Sequence, residues 1–117
     1  MDLYIGFDVS LASTAICGLS EKGKLVKEAT CPTEPEDLVK ALHALPGRVV
    51  AVGLEAGPLS QWLYQHLTEA GFPTVLMETR QVKGALKAMP IKTDRRDAEG
   101  IARLLQMGWF RPVHCKS

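Results

Sequence analysis

Cysteine is scarce and badly spaced: Cys17, Cys31 and Cys115 are an odd number with no CxxC-type pair among them. That argues against both a disulfide framework and a zinc knuckle. His43, His66 and His114 are equally scattered, so no His/Cys metal site is expected. The chain lacks an apolar run of membrane-spanning length, and MDLYIGFD has no basic segment ahead of an apolar one. A cytoplasmic protein without a membrane partner is therefore expected. No internal repeat, linker or low-complexity stretch interrupts the 117 residues, which suffice for one hydrophobic core and are too few for two.

What is present has an ordinary globular balance, 46% hydrophobic and 23% charged. The net charge of +1 conceals an asymmetry. Residues 1–78 hold 5 Lys/Arg against 10 Asp/Glu, and residues 79–117 hold 9 against 3, balances of −5 and +6. A basic final third is the footprint a polyanionic partner leaves, although solvated basic helices are also common.

Period-two alternation over residues 3–9, an apolar run over 14–19 and a third over 25–30, joined by short turns, predict an antiparallel meander. Helical spacing of Leu38, Leu42 and Leu45 follows, stopped by Pro46-Gly47. Residues 48–55 are apolar on both faces, as in a strand covered by helices on both sides. Gly57 and Pro58 open a helix whose stripe is Leu59, Trp62, Leu63, Leu67 and Ala70, so Trp62 is expected to pack in the core. A fifth strand over 73–77, basic residues at helical steps, a break at Pro90 and a last helix over 94–107 complete the chain. The order β-β-β-α-β-α-β-α-α predicts an α/β fold, a mixed five-stranded sheet with the first strand beside the fourth.

Within IGFDVS, Leu3, Ile5, Phe7 and Val9 share one face, leaving Asp8 on the other with Gly6, whose missing side chain leaves open space beside it. A carboxylate there needs a partner. Strand pairing brings Glu55 alongside. In KTDRRDA, Asp94 and Asp97 read either as a helix cap and a first-turn acid or as inward-facing groups. Steps of three and four connect them to Ile101 and Leu104/Leu105, and this favours the inward reading. Arg95, Glu99, Arg103 and Gln106 take a separate, polar face. Four convergent carboxylates repel one another, and hard divalent cations resolve that repulsion. Two such ions about 3.5–4 Å apart serve phosphodiester chemistry.

The segments GFDVS, VGLEAGP, KTDRRDAEGIARLL and WFRPVHCKS resemble the N-terminal, RuvC-like (RNase H-like) domain of the DEDD transposases, insertion-sequence recombinases guided by a bridge RNA. KTDRRDA is the most specific of them. The resemblance covers essentially the whole chain, so residues 1–117 are expected to be that domain. It implies that Asp8, Glu55, Asp94 and Asp97 are the catalytic, metal-binding tetrad, with Mg²⁺ or Mn²⁺ as cofactor. DNA, a bridge RNA and further copies of the full-length protein are the implied partners. Arg80, Lys83 and Lys87, with Lys92, Arg95 and Arg96, are candidates for phosphate contact, the alternative being a solvated face.

The family also carries a C-terminal domain with a catalytic serine, reached through a coiled coil and not found within these residues. Ser10, Ser13, Ser20, Ser60 and Ser117 match no nucleophile motif, and an isolated domain unable to exchange strands by itself is expected. Three rivals remain open. A stand-alone RNase H-like junction nuclease shares every site residue. A non-catalytic nucleic-acid or protein-binding module would use the carboxylates only as caps and surface charges. The start GFDVSLASTAICGLSEKGKLV also resembles the first phosphate loop of sugar kinases, but Val9, Ser10 and Leu11 stand where that loop needs glycine. Trp109-Phe110 either contacts a partner or caps the sheet edge.

Overall fold

The structure, a computed structural model, describes residues 1–88 and 97–113, with Asp97 by its backbone alone. Three strands come first: β1 (Asp2–Val9), β2 (Ser13–Ser20) and β3 (Leu25–Pro32). They pair antiparallel as a meander, because the 10–12 and 21–24 connections are too short for a crossover. Gly23 at φ 80° allows the second turn, and the Ser20 hydroxyl closes it by accepting the N–H groups of Lys22 (3.3 Å) and Lys24 (3.2 Å). α1 (Pro35–His43), β4 (Arg48–Glu55), α2 (Ser60–Glu69), β5 (Thr74–Met77), α3 (Thr79–Ala88) and α4 (Asp97–Met107) follow.

The sheet order is β3-β2-β1-β4-β5, with β1 and β4 parallel, as the crossover rule requires. Leu3, Ile5 and Phe7 of β1 and Val52 and Leu54 of β4 meet Leu38 and Leu42 of α1 and Leu63 and Leu67 of α2 on one face. On the other, α4 lies against β1, β2 and β4 through Ala98, Ile101, Ala102 and Leu105, and α3 packs beside it through Val82 and Leu86. Three layers result.

Three expectations are corrected here. The space beside Gly6 is filled: a Cβ on Gly6 would stand 2.1 Å from the Ala98 carbonyl oxygen and 2.5 Å from the Ala102 nitrogen, so the missing side chain admits the backbone of α4. Trp62 is 39% exposed and meets His66 edge-on at 6.1 Å. The buried face of α2 is set by Ser60, Leu63 and Leu67, which turns Trp62 toward solvent, while Ala70 is the exposed C-cap beyond the last helical residue. α2 begins at Ser60 rather than at Gly57, because the Ser60 hydroxyl donates to the Gly57 carbonyl at 2.8 Å and accepts the Gly57 N–H at 3.0 Å, making residues 57–60 a closed turn.

The described residues of the polar face of α4, Glu99, Arg103 and Gln106, are not left to solvent. Glu99 is buried at 6% exposure and pairs with Arg103 at 3.0 Å. Arg103 donates to the Gly23 carbonyl at 3.4 Å and Gln106 to the Glu21 carbonyl at 2.8 Å. The C-terminal half of α4 is thereby tied to the β2–β3 turn. Arg103→Met, which strands the Glu99 carboxylate, is expected to cost about 2 kcal/mol in urea unfolding. The double variant Glu99→Leu/Arg103→Met should recover most of that. A single variant as stable as the parent would mean that the pair contributes nothing.

The aromatic pair after α4 splits. Trp109 is 55% exposed, whereas Phe110 packs against the cluster formed by Met77, Val82, Ile101, Leu104 and Leu105. The backbone beyond it pairs antiparallel with β5: Glu78 N–H donates to the Arg111 carbonyl (3.2 Å), Val113 N–H to that of Leu76 (2.7 Å), and Met77 stands opposite Pro112. The Gln81 side chain holds this segment by donating to the Trp109 carbonyl (3.3 Å) and accepting the Arg111 N–H (3.1 Å).

Candidate active site

Gly6 lies beside Gly53 and Phe7 beside Leu54 in the parallel β1–β4 pair. One step further along both strands brings Asp8 level with Glu55, on the face opposite Phe7 and Leu54. Both are half-buried and both line a cleft of about 470 Å³ at the C-terminal ends of the strands. Its remaining walls come from the β1–β2 connection (Ser10, Leu11), the turn after β4 (Gly57, Pro58, Leu59) and Ile101 of α4.

α4 runs against the direction of β1. Ala98 sits over Gly6, while Arg103 and Gln106 reach the β2–β3 turn at the far end. The first turn of α4, which begins at Asp97, is therefore at the Asp8 end of β1. The Asp97 side chain and all of Asp94, Lys92, Arg95 and Arg96 lie outside the described residues. Among the described residues no group of three or more His, Cys, Asp or Glu could hold a metal ion. The structure thus brings two of the four expected carboxylates to one cleft.

Arg80, Lys83 and Lys87 are exposed along one side of α3, turned away from the buried Val82. This row begins beside the cleft: the Thr79 hydroxyl donates to the Ala56 carbonyl at 3.3 Å, and the Ala56 N–H to the Met77 carbonyl at 2.9 Å. Neither cysteine described adds a ligand or nucleophile here. Cys17 is buried, and burial, reinforced by the charge of Asp37, raises the Cys31 thiol above its ordinary pKa and keeps it protonated. Ser60 lines the cleft, but its hydroxyl is committed to Gly57. Sequence reasoning missed Leu11 and Pro58 at the rim. A lone leucine among small residues between two strands was the available signal.

A transposase family profile, for the DEDD transposases of the IS110 type, matches residues 5–117. The chain belongs to that family. No curated protein sequence matches it. Among solved structures, Thermus thermophilus RuvC in complex with a Holliday junction substrate is similar at a TM-score of 0.66 and 18% identity, over 97% of this chain and 100% of that one. A second Thermus thermophilus RuvC structure gives 0.66 and 18%, over 95% and 99%. At this identity the likeness shows the fold, and the fold of this family member is RuvC-like. No helix among the described residues is long and apolar enough to cross a membrane.

Proposed function

We propose that the chain is the metal-dependent catalytic domain of a transposase, cleaving and transferring DNA strands at the cleft between β1 and β4. The observation that carries this reading is that Asp8 and Glu55, each next in sequence after the paired Phe7 and Leu54, line one cleft at the ends of adjacent parallel strands, with the first turn of α4 brought to the same end. Both side chains offer only oxygen donors, which fit a hard cation such as Mg²⁺ or Mn²⁺. Asp8 and Glu55 would hold it, with Asp94 and Asp97 completing the set. Such a cation, when bound, activates an attacking hydroxyl and stabilises the leaving oxygen of a phosphodiester.

The chain's own residues do the positioning. Gly6 lets α4 settle directly on β1, and the paired strands fix the carboxylates on rigid elements. Arg80, Lys83 and Lys87 hold the phosphate backbone as it leaves the cleft. The same reading includes a guide RNA and further copies of the full-length protein as partners, and residues 1–117 as the RuvC-like module. The catalytic serine is assigned to none of the serines described. Family membership over residues 5–117 favours this reading over a stand-alone junction nuclease with the same carboxylates.

Branched DNA is the natural probe, because the similar RuvC is seen with a Holliday junction. Binding should weaken steeply with salt, with a log–log slope of about −0.9 per phosphate neutralised. Replacing Arg80, Lys83 and Lys87 together by glutamine should flatten the slope by about two to three units. Salt-independent binding would remove the phosphate-contact reading. Products covalently linked to this chain, or strand exchange by it alone, would contradict the assignment of the serine elsewhere.

A further inference from the structure

Leu11, at the tip of the β1–β2 hairpin, is 86% exposed, the most exposed large apolar side chain among the described residues. Its backbone is nonetheless fastened on both sides. Ser10 N–H donates to the Ser13 carbonyl at 2.9 Å, and Thr33 N–H to the Ala12 carbonyl at 3.3 Å. The Thr33 hydroxyl donates to the Ser10 carbonyl at 2.6 Å, so in its buried 2.8 Å contact with Thr14 it accepts. The backbone that carries this exposed leucine is thus fixed in place. The leucine stands in water at a cleft that Pro58, Leu59, Asp8 and Glu55 also line.

Apolar residues and carboxylates lining one cleft suit a ligand that carries both a charged group and apolar surface, as a nucleotide does. The phosphate lies toward the carboxylates and their cation, and a base lies flat against the leucine. The basic row on α3, starting beside the cleft, complements a polyanionic strand running out of it. A base in continuous duplex has both faces covered by its neighbours and offers none, whereas an unpaired base does. Resting on the function proposed above, we propose that Leu11 receives an unpaired nucleobase of the DNA strand held at the carboxylates. This site then takes a strand locally unstacked at the reacting phosphate rather than continuous duplex.

The test uses the whole chain, in EDTA and in Ca²⁺, with fluorescence anisotropy on two probes: a short duplex, and the same duplex carrying one unpaired central 2-aminopurine. The parent should bind the second about tenfold more tightly, with a change in 2-aminopurine emission. Leu11→Ser should bring the two affinities within about twofold and abolish the emission change, while Leu11→Met retains both. Equal melting midpoints for parent and Leu11→Ser, expected because the side chain is exposed, exclude misfolding as the cause. Equal binding of both probes by the parent, or a preference that survives Leu11→Ser, overturns the proposal. If the triple glutamine variant of α3 still weakens both probes in that case, the nucleic-acid reading stands without it. Failure of the parent to bind either probe at low salt overturns both. Loss of self-association in Leu11→Ser with its DNA preference intact overturns the proposal in favour of a second copy of the chain as the occupant.

Discussion

Gly6→Ala is expected to lower the thermal midpoint by about 12 °C. The added Cβ meets backbone on two sides, the Ala98 oxygen at 2.1 Å and the Ala102 nitrogen at 2.5 Å, so no rotamer change relieves it. α4 must lift away from β1, disturbing a contact in which Ile101, Ala102 and Leu104 are at most 1% exposed. Overpacking against fixed atoms costs about 3 kcal/mol, from a total of about 5–15 kcal/mol for a domain, and about 4 °C per kcal/mol applies at this size. Gly84→Ala is the control. A Cβ there meets nothing within 4 Å, and the residue lies inside α3, so alanine should stabilise by about 0.8 kcal/mol. A Gly6→Ala midpoint matching that of the parent would show that α4 does not rest on β1 as described.

Mn²⁺ is expected to raise the midpoint of the parent and leave that of Asp8→Asn unmoved. A cation that binds only the folded chain stabilises it by about 2.7 kcal/mol at a hundredfold excess over its dissociation constant, or about 10 °C. Glu55→Gln should lose the same increment, because the two carboxylates share the cleft. In EDTA the sign reverses. With no cation between them the acidic groups repel, so Asp97→Asn should melt at or above the parent. A helix-start role for Asp97 would give the opposite, since asparagine loses the favourable interaction with the N-terminal dipole. Identical midpoints for parent and Asp8→Asn at every Mn²⁺ concentration would remove the metal from the proposed function.

The strand order was legible because each strand carries its own face label. Alternation separates Leu3, Ile5 and Phe7 from Asp8, and a run apolar on both faces marks β4 as central. Asp8 and Glu55 were legible for the same reason: neighbours in a parallel pair share a face. Glycine was the point where reading failed. A missing side chain looks alike whether water or another backbone takes its place, and at Gly6 it is the backbone of α4. Trp62 was misplaced because Leu59, Trp62, Leu63, Leu67 and Ala70 span too wide an arc for one face; packing selected the Leu63/Leu67 side. The docking of Arg103 and Gln106 depends on carbonyls about eighty residues earlier in the chain. No local pattern encodes that meeting.

The two edges of the sheet are protected unequally. Among the described residues β3 pairs only with β2, and its exposed Lys27 and Glu28 make that border charged and unattractive to a foreign strand. The β5 border is instead occupied by the chain's own residues 111–113, fastened by Gln81. Peeling that segment away would bare the carbonyl of Leu76 and the N–H of Glu78 on a short apolar strand. This segment therefore acts as a built-in guard against edge-to-edge aggregation.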